Sequence, residues 1–150
     1  MLKQSKTALG QTPVPSVWSA VTCGIPFEYV TDATLAAGDI IELGTIEAGV
    51  KPFNVTLLSD DLDTNGTPTI TLTVGILNAA KTDIDAAATS TFIAASTVAQ
   101  TGGHAAATTA NAYLSGASNV PRKLGIKVVA GPATFAGAGK KIAVVLTATS

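Results

Sequence analysis

Between Thr67 and Ile76 the apolar residues Ile70, Leu72, Val74 and Ile76 alternate with Thr69, Thr71, Thr73 and Gly75. Strand side chains point to opposite faces with period two, so this segment predicts a strand with one apolar face and one threonine face. An apolar face needs a second layer to cover it, which points to two packed sheets or a closed barrel. Phe27, Tyr29 and Thr31 alternate with Glu28 and Val30 in the same way. Ile41 and Leu43 oppose Glu42, and Phe53, Val55 and Leu57 share a face. Leu124, Ile126 and Val128 form a further set, as do Ile142, Val144 and Leu146. Val145 on the second face of that last strand predicts cover on both sides.

Turn signals separate these runs at Ala37–Asp39, Glu47–Gly49, Asp60–Gly66 and Pro132–Gly139. Short strands at short intervals predict an all-β chain, a single antiparallel β-sandwich of jelly-roll type with about eight strands. The segment from Asn78 to Gly103 is rich in Ala, Thr and Ser. Its core, Ser90–Ala99, predicts a short helix or irregular excursion, since Phe92, Ala95 and Ala99 share a helical face; a strand is the alternative. A brief strand is expected around Tyr113 and Leu114, and a flexible loop at Thr101–His104. Residues 1–24 are polar and interrupted by Pro13 and Pro15, so they predict an extended N-terminal arm ahead of a β-domain at 25–150. Trp18 is the arm's one large anchor, for the protein's own core or for a partner.

The chain has 150 residues, 47% hydrophobic, but only 13% are charged. That is about half the ~25% of an ordinary soluble domain. No apolar run approaches the ~20 residues of a spanning helix, so a membrane role is not expected. A low-charge surface predicts cover by other subunits. The start of the chain has no apolar signal-peptide core, and Cys23 is the only cysteine, which excludes an intrachain disulfide. Eight acids lie between Glu28 and Asp63 with only Lys51 among them, whereas no acid follows Asp85. Folding is expected to mix these two halves; an acidic edge meeting a basic edge between subunits is the alternative. The bases lack interleaved aromatics, so no nucleic-acid partner is expected.

Candidate chemistry is sparse. Asp61, Asp63 and Asn65 followed by Gly66 match the first half of a calcium loop, but its closing carboxylate position falls on Leu72. They stay a weak calcium candidate against an ordinary turn, and no cofactor is expected. His104 is the only histidine, set between Gly103 and alanines with no carboxylate nearby, and reads as an exposed loop residue. Cys23 reads as a small buried hydrophobe. There is no nucleophile elbow and no phosphate-cradling loop, so an enzyme is not expected.

Three stretches carry a resemblance: Ala33–Ile46, Asp60–Thr64 followed by Thr69–Gly75, and Phe92–Thr97 with a Gly-Gly loop and a closing Val-Val-Leu-Thr strand. Together, over about Ala33–Thr149, they resemble small jelly-roll structural proteins of tailed bacteriophage virions. That resemblance implies a capsid decoration or cement protein that binds the outer capsid lattice and stabilises the head. Its partners would be the major capsid protein and copies of itself, as a dimer or trimer. Its place would be the capsid surface, after synthesis in the host cytoplasm. Trp18, Phe27 and Tyr29, at the root of the arm, are the expected partner contacts. A tail, baseplate or fibre-base component is an alternative, and a receptor- or glycan-binding module is another.

Overall fold

The computed structural model describes residues 1–11 and 22–149. Its strands are β1 (Leu2–Gln4), β2 (Cys23–Val30), β3 (Ile40–Ile46), β4 (Lys51–Ser59), β5 (Thr71–Ile76), β6 (Thr91–Ser96), β7 (Gly103–Ala106), β8 (Arg122–Ala130) and β9 (Lys141–Thr149). One sheet has the order β1-β3-β8-β5-β6 and the other β2-β9-β4-β7. From β2 onward the chain changes sheet at every step except β5 to β6. Eight antiparallel strands in these two orders make a jelly roll, and β1 adds to it in parallel along β3.

The alternation places the core. In one sheet Phe27, Val144 and Leu57 lie in register, as do Ile25, Leu146 and Val55. In the other, Ile41, Ile126 and Val74 form a row that continues to Ile93. All belong to one apolar cluster between the sheets. Each aliphatic side chain buried there contributes roughly 1.5–3 kcal/mol.

Four segments depart from the local reading. Ser90–Ala99 holds strand β6 and then one 3₁₀ turn at Val98–Gln100, in place of the expected helix or excursion. Pairing with β5 and burial of Phe92 and Ile93 override the alanines' helical preference. Asn111–Leu114 is one helical turn, α1, rather than a strand. Gly103–Ala106 pairs with β4 as β7, so His104 is exposed on an edge strand instead of in a loop. A bulge between Pro52 and Asn54 shifts the phase of β4. Val55 and Leu57 stay in the core, but Phe53 is turned out to the surface.

The outer face of the five-stranded sheet is covered by residues 77–90, between β5 and β6. Leu77 bridges to Ile84, and the Leu77 side chain fills the space above Gly125. A methyl group at Gly75 would collide with the Ser90 carbonyl oxygen, which accepts from Ile76 N–H at 2.8 Å. Gly75→Ala is therefore expected to cost about 1–3 kcal/mol and to loosen this cover. A lower thermal midpoint with faster proteolysis inside 77–90 would show it.

Candidate interaction surfaces

The acids of the first half meet the bases of the second half inside this one domain, as the mixing reading expects. Glu42 is fully buried on β3, under the 77–90 cover. Its Oε2 accepts from Lys81 Nζ at 2.8 Å and Gln4 Nε2 at 2.9 Å, while Lys123 Nζ stands 3.4 Å from Oε1. Burial alone would raise this carboxyl's pKa, but the Lys81 and Gln4 hydrogen bonds outweigh it and hold it below its ordinary value. Asp83 pairs with Lys127 at 2.7 Å and Glu28 with Lys141 at 3.5 Å.

The half calcium motif does structural work. Asp63 is buried, and its carboxylate accepts from five backbone N–H groups, those of Asn65, Thr69, Ile70, Ala133 and Thr134. Burial raises its pKa, but these donors prevail and push it well below the usual carboxylate range. Asp61 Oδ1 accepts from Asp63 N–H, and Asn65 Oδ1 from Thr67 N–H. Asp60 Oδ2 accepts from Lys141 N–H. These side chains thus tie the loop before β5 to the loop and strand that follow β8. Among the described residues no three His, Cys, Asp or Glu side chains group as a metal site.

The expected contact residues divide. Trp18 lies outside the described residues. Phe27 is only 1% exposed and lies across the sandwich over Gly44, where a β-carbon would come within 2.6 Å of its ring. Tyr29 is also buried, and its hydroxyl donates to Asp32 at 2.9 Å. Burial first, then this hydrogen bond, raise the Tyr29 pKa strongly. Both are core residues of β2, which corrects the expectation that they line a partner contact. Cys23 is half-buried and free rather than fully enclosed.

The four-stranded sheet is different from its partner, because among the described residues no segment covers its outer face. Across it run the rows Pro26, Val145, Thr56, Ala106 and Glu28, Ala143, Leu58, His104. Its charges, Glu28 and Lys141, pair with each other. At one corner α1 takes over from β7 as the neighbour of β4. There the bulged Phe53 stacks on Tyr113, ring centroids 5.7 Å apart, and Lys51 Nζ stands 3.9 Å from the Tyr113 ring centre. Phe53, Tyr113 and the adjacent Leu114 are 38%, 47% and 62% exposed. Sequence reasoning missed this cluster, since period two assigns Phe53 to the core and nothing local announces the bulge.

The jelly roll thus uses its loop carboxylates on its own backbone and, among the described residues, leaves one sheet face uncovered and nearly uncharged. No family model matches the chain, and no curated protein does. Among solved structures it is similar to a chain from the capsid of Ralstonia phage GP4, with 40% identity and a TM-score of 0.87, covering all of this chain and 98% of that one. It is also similar to a chain of the cyanophage Pam1 capsid asymmetric unit, with 28% identity and a TM-score of 0.67, covering 94% of this chain and 96% of that one. The chain belongs to this family of bacteriophage capsid proteins, and it is a structural component of the virion.

Proposed function

We propose that this capsid component is a decoration or cement protein, which sits on the outer lattice and binds the major capsid protein and further copies of itself. The observation that carries the reading is the one-sided surface. Residues 77–90 cover one sheet, while the other presents Pro26, Val145, Thr56, Ala106, Ala143 and Leu58 around a single ion pair. Such a face loses little hydration when pressed against a neighbour, and many weak copies on a lattice add up to firm attachment. The described residues bury one apolar cluster between the two sheets within a single chain, which supports a domain that docks as a folded unit. Residues 1–11 add to the edge of β3, with Ser5 bonded to Leu43 and Glu42, and so lie on the five-stranded sheet.

The test is to add the purified protein to particles assembled without it. Saturable binding, with density on the outer shell and a higher temperature for genome release, is the expected result. Density confined to the tail or baseplate, or failure to bind particles at all, would remove the proposal.

A further inference from the structure

We infer that the corner formed by Phe53, Tyr113 and Leu114, with Lys51 over it, is the anchor of this docking face. The partner it fits is a protein surface that presents an apolar side chain beside a carboxylate. The inference rests on the decoration reading and gives it a specific contact.

Three independent features converge here. The first is the bulge. Without the register shift between Pro52 and Asn54, Phe53 would follow Val55 and Leu57 into the core. Bulges commonly re-aim a side chain, and this one takes a large apolar group out of the interior and exposes it. The second is the pairing. Tyr113 reaches Phe53 from α1, and the two rings stack into one apolar platform, with the exposed Leu114 next to Tyr113 in the chain. Stacked rings lose little conformational freedom on binding, which is why aromatic residues dominate interface energetics. The third is charge. Lys51 holds its ammonium over the Tyr113 ring, and among the described residues it has no carboxylate within salt-bridge distance. A face whose Glu28 and Lys141 pair with each other, and whose Lys51 ammonium stands at the aromatic corner, is complementary to a near-neutral surface with one carboxylate. The platform is continuous with the open sheet, because Phe53 lies on β4 itself.

The experiment measures binding to particles assembled without this protein, for the wild type and for Phe53→Ala, Tyr113→Ala, Lys51→Ala, Lys51→Glu and Lys140→Glu. The two aromatic variants should each raise the half-saturation concentration by roughly thirtyfold. Lys51→Glu should weaken binding more than Lys51→Ala, and Lys51→Ala should reduce its salt dependence. Lys140→Glu makes the same charge change at the opposite end of the sheet and should shift binding less than about twofold. Thermal midpoints separate lost contact from lost fold. If wild type saturates and the folded aromatic variants bind equally well, the inference is wrong and the decoration reading stands. If wild type does not bind, both fall. If the aromatic variants keep particle binding but lose retention on immobilised glycans, the corner is a carbohydrate platform and the inference is overturned.

Discussion

Asp63→Ala is expected to lower the thermal midpoint by roughly 10 °C or more, the largest effect available outside the apolar core. The substitution removes one acceptor and leaves five backbone N–H groups, from three separate segments, without their partner. An orphaned buried donor is far more costly than a missing bond is valuable. Asp63→Asn keeps the shape but offers one oxygen and turns a donor toward donors, so it should be nearly as damaging. The same carboxylate sets an acid limit. Its folded pKa lies below the ordinary value of 3.8, so its contribution is complete above about pH 4 and fades as pH falls through 3.8 toward the folded value. Glu42, Asp83 and Asp32 shift in the same direction, and each adds to the slope. Denaturant titrations between pH 2 and 7 should show stability falling below about pH 4, with a shallower fall in Asp63→Asn. Equal slopes for the variant and the wild type would show that the clamp does not carry this linkage.

Phe27→Ala is expected to cost about 3–5 kcal/mol, a large share of the 5–15 kcal/mol that holds a domain of this size together. Its ring fills the gap that Gly44 leaves on the facing sheet, and the smaller side chain opens a cavity lined by both sheets. The measurement also separates two roles. A partner contact would leave the thermal midpoint untouched and lose only particle binding. A core residue lowers the midpoint whether particles are present or not.

The strands were legible where alternation was long and clean. β2, β5, β8 and β9 each carry three or four apolar residues at period two, and each is buried as that spacing requires. β6 was not legible, because Ala94 and Ala95 favour a helix while Thr91 and Ile93 favour a strand, and the decision came from β5 beside it. Glu42 illustrates a second limit. Its alternation with Ile41 and Leu43 was read correctly as a change of face, yet that face is covered by a segment some forty residues away that brings Lys81. The clamp at Asp63 was visible only as an ordinary turn or a weak calcium candidate. Its donors at Ala133 and Thr134 come from seventy residues further along the chain.

By itself, then, the amino-acid order determined that this protein is a two-sheet β-domain with few charged residues. Period two and turn chemistry act between near neighbours, and a reader of the chain can follow both. Tertiary structure decided which of the two sheets stays open, that Phe27 and Tyr29 belong to the core, and that Phe53 and Tyr113 meet at the surface. Those outcomes depend on strand pairing, on one inserted residue in β4 and on contacts across the whole chain. Local periodicity tells two faces apart, but only packing decides which face is covered.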